Sequence, residues 1–185
     1  YLMIELSKNG YSDAAYRLLT TTTYPSWGYM VRHGATTMWE RWNGNQMLGD
    51  PSMNSFNHYA YGAVGEWLYR YMAGIDEDPA HPGFQHILLH PQFDATVGNA
   101  GATYQSPYGD ITSDWKYTGN TIVWNIAIPP NTTATLEFPD AQSAAILEDG
   151  KLLHSLSPDG LQEKETRSSS YTVGSGTYRF TIRQK

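Results

Sequence analysis

The chain has 185 residues, 40% hydrophobic and 16% charged, which suits one large globular domain or two small ones. A formal charge of −6 without a basic stripe argues against a nucleic-acid partner, because nucleic acids are held by clustered Lys and Arg at phosphates. The absence of Cys excludes disulfides and thiolate metal sites. No apolar run approaches the roughly 20 residues that span a bilayer, so no membrane partner is expected.

The first half of the chain, to about residue 75, carries helical signals. Its start, Tyr1–Leu6, has no initiator Met and no signal-peptide pattern, and is interpreted as an internal cut through a longer protein. A helix is predicted to end at Asn9-Gly10, and Ser12 is predicted to cap the next one, which gives a helical hairpin. From Thr20 to Pro51 the periodicity fades, and such a long irregular segment is usually functional.

The strongest helical pattern is Asn54–Met72, which is predicted to stop at Gly74. Its apolar residues recur at intervals of three and four: Phe56, Tyr59, Ala60, Ala63, Val64, Trp67, Leu68, Tyr71 and Met72. The opposite side carries few charges and includes His58, Gly62, Gly65 and Tyr69. A helix that is buried on both sides suits the inner ring of a helical barrel.

A boundary is predicted next, because two Pro and one Gly within five residues, Pro79–Gly83, end any helix. The expected domains are therefore 1–78, helical, and 79–185, an antiparallel β-sandwich. The acidic run Asp76–Asp78 is interpreted as a solvated linker, with Ca²⁺ binding as an alternative. Three nearby histidines are interpreted as surface residues and not as a metal site, since no fourth ligand is evident: His81, His86 and His90. No metal or cofactor is predicted.

The second half shows the two-residue periodicity of strands. Apolar and other residues alternate along Ile122–Ile128 and along Tyr178–Ile182. Asp149-Gly150 predicts a tight hairpin, and Gly174–Gly176 is predicted to lead into the last strand. Short strands with closely spaced turns indicate a small sandwich.

Aromatic residues surround a single carboxylate between Tyr24 and Trp42. The segment holds Tyr24, Trp27, Tyr29, Trp39 and Trp42, together with His33 and Glu40. A pyranose has apolar faces that stack on rings and hydroxyls that need polar partners, so this set fits a sugar site. By itself it fits core packing equally well.

Three sequence blocks resemble the C-terminal part of the inverting bacterial α-L-rhamnosidases. They are Tyr24–Met30, Gly34–Trp42 and Ser52–Leu68, and the likeness continues through Gly83–Pro91 and Ser106–Trp115. That family has an (α/α)6 barrel followed by a β-sandwich. The resemblance therefore implies the terminal helices of such a barrel and then an antiparallel β-sandwich, an α+β chain of two parts.

The resemblance also implies an activity, the release of terminal α-L-rhamnose from rhamnosides by inverting hydrolysis. The Glu of the family's Thr-Thr-x-Trp-Glu motif is the general base, which is Glu40 here, and the His of its Asn-His-Tyr block, here His58, contacts the sugar. Trp27 and Trp39 are candidate pocket walls. The partner implied is a rhamnose-containing oligosaccharide or glycoside. Core packing remains open for the two Trp, and an ion pair with Arg32 or Arg41 remains open for Glu40.

The family's general acid lies in earlier barrel helices, so this chain is expected to need the upstream part of its own barrel and to be inactive alone, with exposed apolar surface. Two alternatives remain. One is a non-catalytic carbohydrate-binding module that uses Tyr104, Tyr108, Trp115 or Tyr117. The other is the end of a different (α/α)-barrel glycosidase or phosphorylase. The compartment, whether cytoplasmic, periplasmic or secreted, is not predicted.

Overall fold

The computed structural model describes residues 1–50, 52, 55–139, 144–153 and 168–184. The chain divides into two compact units, Tyr1–Trp67 and Leu68–Lys185. Compactness alone does not test the domain division expected after residue 78, which stays a prediction.

The first unit is helical, with irregular connections. Its elements are α1 (Leu2–Lys8), α2 (Ser12–Thr20), α3 (Trp27–Arg32), a 3₁₀ turn (Gly44–Gln46), α4 (Tyr59–Gly62) and α5 (Val64–Trp67). The predicted hairpin is confirmed as α1 and α2, although Tyr11 and not Ser12 takes the capping position. The short helix α3 was not predicted; Ser26 caps it by accepting a hydrogen bond from the Tyr29 N–H at 2.9 Å.

The packing centre of the helical unit is Trp67. Its ring is fully buried and meets the edge of Tyr16 with the ring centroids 5.1 Å apart. Its indole N–H donates to Ser7 Oγ at 2.8 Å, which satisfies the one polar group of a buried Trp. Some large apolar side chains of this unit are exposed, as expected: Val31, Leu48 and Tyr59 are 69%, 77% and 84% exposed.

The single long helix predicted from Asn54 is wrong at its start and in its continuity. Asn54 lies outside the described residues, residues 55–58 are not helical, and helix begins at Tyr59. It is interrupted at Ala63 and changes to π-helical geometry over Leu68–Ala73, and the predicted stop at Gly74 is confirmed. Periodicity could not reveal the non-helical start, because residues 55–58 are held by backbone hydrogen bonds to Met38 and Glu40.

The second unit is a sandwich of two sheets. Its strands are β1 (Ile75–Glu77), β2 (His86–Leu89), β3 (Asn99–Ser106), β4 (Gly109–Thr118), β5 (Thr121–Ile128), β6 (Thr133–Pro139), β7 (Ala144–Glu148), β8 (Lys151–Leu152), β9 (Ser168–Val173) and β10 (Gly176–Gln184). One sheet has the order β1-β2-β6-β9 and the other β3-β4-β5-β10-β7-β8. All pairs are antiparallel except β2 with β6, which is parallel.

The core lies between the two sheets and follows the predicted alternation. Along β5 every second residue is buried, and Trp124 is completely inaccessible. Phe138 and Phe180, from opposite sheets, meet at 5.3 Å. The predicted hairpin is confirmed, with Asp149 and Gly150 at φ 44° and 83° between β7 and β8. Gly174–Gly176 leads into β10 from β9, which belongs to the other sheet.

The π-helical segment ends against the strands of the second unit, and each of its last carbonyls is bonded there. The backbone N–H of Gln92 donates to Tyr71 O at 2.8 Å. The indole of Trp115 donates to Met72 O at 2.7 Å, and Ser113 Oγ donates to Ala73 O at 2.5 Å. The carbonyls that a helix leaves unpaired at its end are therefore satisfied by β4 and by the segment after β2.

The interpretation of Asp76–Asp78 as a solvated linker is wrong. Asp76 lies in β1, paired with β2, and is partly buried. Its carboxylate accepts from Arg70 Nε at 2.9 Å and from His90 Nε2 at 3.3 Å. A partly buried carboxylate needs such partners, which come from the π-helical segment and from the end of β2.

The prediction of three surface histidines holds only for His81, which pairs with Asp78 at 2.7 Å. His86 is half-buried, with both ring nitrogens bonded to hydroxyls, Thr133 Oγ1 at 2.6 Å and Thr135 Oγ1 at 2.8 Å. His90 is half-buried against Asp76. Within the described ranges no group of three His, Asp or Glu residues is placed to hold a metal ion. No described helix has the length and apolar character to cross a membrane.

Candidate active site

Two non-helical segments of the helical unit pair with each other and carry the predicted catalytic residue and a predicted sugar-binding residue. The Glu40 N–H donates to Ser55 O at 2.8 Å, and the His58 N–H donates to Met38 O at 2.8 Å. The hydroxyl of Thr37 also donates to Phe56 O. This antiparallel contact brings Glu40 and His58, 18 positions apart in the sequence, onto neighbouring backbones.

The carboxylate of Glu40 is held by one of its two oxygens. Oε2 accepts a hydrogen bond from the Ser55 N–H at 2.8 Å. Within the described part of the chain, Oε1 has no hydrogen-bond partner, and no ion pair joins the carboxylate to Arg32 or Arg41. The side chain is partly exposed. Glu40 therefore has a fixed orientation and one oxygen that can accept a proton.

His58 is the capping residue of α4. Its Nδ1 accepts a hydrogen bond from the Ala60 N–H at 3.1 Å, and its ring stacks on Tyr59 at 5.2 Å. An Nδ1 that accepts carries no proton, so the proton of the neutral ring lies on Nε2. The half-buried ring can thus donate a hydrogen bond from Nε2.

Trp27 belongs to a group of three neighbouring rings with Trp42 and Tyr61. Its indole N–H donates to Tyr61 O at 3.0 Å, and it meets Trp42 edge-on at 5.1 Å. Trp42 and Tyr61 stack at 3.7 Å with 20° between their planes. All three are partly exposed. Tyr61 was not predicted from the sequence as part of this group, although it lies three residues after His58, about one helical turn away.

Trp39 has little surface to offer a ligand. It is 5% exposed, and its ring packs edge-on against Phe56 with centroids 5.6 Å apart. Its role as a pocket wall stays a prediction. Its packing against Phe56, in the segment that carries His58, is observed. Among the predicted wall residues, Trp27 has the more accessible ring.

A second group of rings lies on and before α3. Tyr29 stacks on His33 at 3.9 Å and meets Tyr24 edge-on at 5.5 Å. Its hydroxyl accepts from Gln46 Nε2 at 3.2 Å, which connects α3 to the 3₁₀ turn. The rings of Tyr24 and His33 therefore pack on Tyr29, whose hydroxyl also bonds to the 3₁₀ turn.

The β unit offers a weaker candidate for sugar binding. Trp115 is completely buried, and its indole N–H is already bonded to Met72 O, so it is not available to a ligand. Tyr117 is half-buried against Trp115, at 6.2 Å. Tyr104 and Tyr108 are 38% and 39% exposed. The binding-module alternative thus loses its strongest aromatic residue.

The chain thus joins a helical unit that carries a carboxylate, a histidine and several rings to a β-sandwich. Residues 1–72 match the bacterial alpha-L-rhamnosidase 6 hairpin glycosidase domain, and residues 74–152 match the bacterial alpha-L-rhamnosidase C-terminal domain. The chain belongs to the bacterial α-L-rhamnosidase family. The resemblance and the fold class inferred from the sequence, terminal barrel helices and a β-sandwich, are confirmed.

Relatives match along nearly the whole chain. An alpha-L-rhamnosidase of Streptomyces avermitilis is 39% identical over 98% of this chain, which covers 17% of that protein. The crystal structure of the Streptomyces avermitilis enzyme complexed with L-rhamnose matches with a TM-score of 0.80 at 37% identity, covering 98% of this chain and 17% of the other. The alpha-L-rhamnosidase from Dictyoglumus thermophilum gives a TM-score of 0.84 at 32% identity, covering 100% and 20%. The chain thus spans at most a fifth of these relatives.

Proposed function

We propose that this chain forms one side of the active site of an inverting α-L-rhamnosidase, in which Glu40 is the general base. The main support is that the two oxygens of the Glu40 carboxylate differ. Oε2 accepts a hydrogen bond from the Ser55 N–H, and Oε1 has no hydrogen-bond partner among the described residues. A general base needs one oxygen free to take a proton and a fixed orientation toward the water it activates.

In the proposed reaction, Glu40 Oε1 takes a proton from a water molecule as that water's oxygen bonds to the anomeric carbon of rhamnose. The bond from this carbon to the glycosidic oxygen breaks at the same time, and its electron pair goes to that oxygen. A carboxylic acid on the opposite side of the sugar, supplied from outside this chain, protonates the departing oxygen. The two carboxyl groups of an inverting pair are roughly 6.5 to 9.5 Å apart, which leaves room for the water.

Recognition of the sugar is proposed to involve His58 and Trp27, with Trp39 as a lesser contributor. His58 Nε2 carries the proton of the neutral ring and would donate it in a hydrogen bond to a rhamnose hydroxyl. Trp27 would stack its accessible ring on an apolar sugar face. The Streptomyces avermitilis relative was crystallised with L-rhamnose, which supports this sugar as the ligand here.

The decisive experiment is Glu40→Gln in the complete protein that contains this chain, assayed on an aryl α-L-rhamnoside. The amide oxygen keeps the bond from the Ser55 N–H but cannot take the proton, so kcat should fall by about 10²- to 10⁴-fold with the melting temperature unchanged. Glu5→Gln, an exposed carboxylate in α1 that pairs with Lys8 at 3.5 Å, is the matched control and should remain active.

Stereochemistry gives an independent readout. Proton NMR during the first turnovers should show β-L-rhamnose as the initial product, because a single displacement inverts the anomeric carbon. Near-normal kcat in Glu40→Gln would remove Glu40 from the mechanism, and initial release of α-L-rhamnose would overturn inversion.

A further inference from the structure

We propose that the backbone N–H of Ser55 is the group that positions Glu40 for catalysis, an inference that rests on the function proposed above for Glu40. The carboxylate bond to this N–H, 2.8 Å long, joins residues 15 apart in the sequence. Ser55 is thereby a positioning residue through its main chain and not through its hydroxyl.

The main chain of Ser55 holds both ends of Glu40. Its carbonyl accepts from the Glu40 N–H, and its N–H donates to Glu40 Oε2, each at 2.8 Å. Two bonds from one residue fix the backbone and the head of the side chain together. A Glu side chain otherwise samples many rotamers, and only one places Oε1 beside the attacking water.

The hydroxyl of Ser55 has a different task. Ser55 Oγ accepts from the Asn57 N–H at 3.1 Å, which bends the chain toward His58. The hydroxyl therefore turns the segment, while the N–H orients Glu40. These two roles of one residue can be separated by substitution.

The choice of oxygen also has a chemical consequence. A hydrogen bond to an ionised carboxylate is stronger than one between neutral groups, so the Ser55 N–H holds the Glu40 carboxylate firmly through Oε2. Among the described residues Oε1 carries no hydrogen bond, so it is the oxygen that can turn its lone pairs to the water.

The same segment carries His58, whose N–H bonds to Met38 O two residues before Glu40. Register between the segments therefore sets the spacing of the proposed base and the proposed sugar contact. A change that loosens the whole segment would affect both residues, whereas loss of the Ser55 N–H alone should affect Glu40 first. This difference makes the proposal testable.

The test compares three forms of the complete protein: Ser55→Ala, Ser55→Pro, and a chain with lactic acid at position 55, in which an ester oxygen replaces the N–H. Ser55→Ala keeps the N–H and is the matched control for the ester. We expect the ester and Ser55→Pro to have a kcat roughly 100-fold below that of Ser55→Ala, the loss that a small misplacement of a catalytic group causes.

The dissociation constant of L-rhamnose, measured by calorimetry, separates positioning from distortion. It should change little in the ester form, because His58 keeps its own bonds. A normal kcat in the ester form, beside an inactive Glu40→Gln protein, would overturn the positioning role and leave the proposed function intact. An ester form that loses L-rhamnose affinity in proportion to kcat/KM would also overturn it, since the N–H would then support the segment. An active Glu40→Gln protein would instead overturn the function.

Discussion

Gly28, in the first turn of α3, shows how closely the irregular segment of the helical unit is packed. A Cβ at this position would lie 2.5 Å from Thr21 O and 3.1 Å from Thr22 Cα, both backbone atoms. Neither can move without shifting the end of α2. Glycine is therefore required at position 28 because of close main-chain contact, and not because of any side-chain chemistry.

We expect Gly28→Ala to destabilise the protein by about 1–3 kcal/mol, the usual cost of inserting a methyl group into a well-packed position. Thermal unfolding followed by circular dichroism would measure the change. Gly65→Ala in α5 is the matched control, because nothing lies within 4 Å of its Cβ, and Ala favours helix over Gly by roughly 0.5–1 kcal/mol. Equal melting temperatures for the two variants would contradict the close contact at Gly28.

At this scale the sequence allowed prediction of side chains but not of main-chain groups. Glu40 and His58 were identified through the family motifs that contain them, because residue type alone left core packing equally open. The Ser55 N–H has no residue signature, since every residue except Pro has one. Tyr61 was missed because its stacking on Trp42 depends on two segments meeting in space. The catalytic roles themselves remain proposals.

Among the elements, the end of the π-helical segment depends most on distant residues. Ser113 in β4 is completely buried, donates to Ala73 O at 2.5 Å and accepts from the Trp124 indole at 2.9 Å. One small hydroxyl thus satisfies two buried polar groups. Loss of the Ser113 hydroxyl would leave both the Ala73 carbonyl and the Trp124 indole N–H without a hydrogen bond in an apolar interior.

Ser113→Ala should therefore destabilise the protein by about 1–3 kcal/mol for each of the two groups left without a partner. Chemical denaturation would give the free energy of unfolding. Ser175→Ala, an exposed turn position, is the control and should stay within about 0.5 kcal/mol of the parent. A Ser113→Ala protein as stable as the Ser175→Ala protein would mean that other groups satisfy Ala73 O and the Trp124 indole.

Strands with regular periodicity were predicted well, whereas the long periodic helix and the short or irregular elements were not. Apolar residues alternate with other residues along Ile122–Ile128 in β5 and along Tyr178–Ile182 in β10, which is long enough for the pattern to be recognised. β1 has three residues, two of them acidic, and resembled a linker. Its assignment depends on Arg70 and His90, which no local pattern connects to Asp76. The break in the helix before Tyr59 has the same cause, because pairing with Met38 overrides the apolar period.

For the whole molecule, the arrangement around Asp76 predicts how stability varies with pH. Burial by itself raises the pKa of Asp76, but hydrogen bonds and charge from His90 and Arg70 outweigh it, so its pKa lies below the ordinary value of 3.8. A carboxyl whose pKa is lowered by folding stabilises the folded protein above the unfolded value. That contribution is lost as pH falls through 3.8 toward the folded pKa.

Asp76→Asn should consequently lower the free energy of unfolding at neutral pH and flatten its decline below about pH 4. Urea denaturation across a pH series would show both effects. Asp110→Asn is the control, an exposed carboxyl of the same unit in β4, and should keep the acid-dependent decline of the parent. A parent-like slope in Asp76→Asn would place the acid sensitivity elsewhere.

The position of β10 has a consequence for the order in which the protein can fold. The β3–β4–β5 meander joins strands that follow one another, so it can assemble as soon as it leaves the ribosome. The β7–β8 hairpin reaches that meander only through β10, which pairs with β5 on one side and β7 on the other. Until residues 176–184 are synthesised, one edge of β5 stays open. Completion of this sheet is therefore a late event, and the nascent chain offers a chaperone, or a neighbouring chain, an unpaired strand to bind.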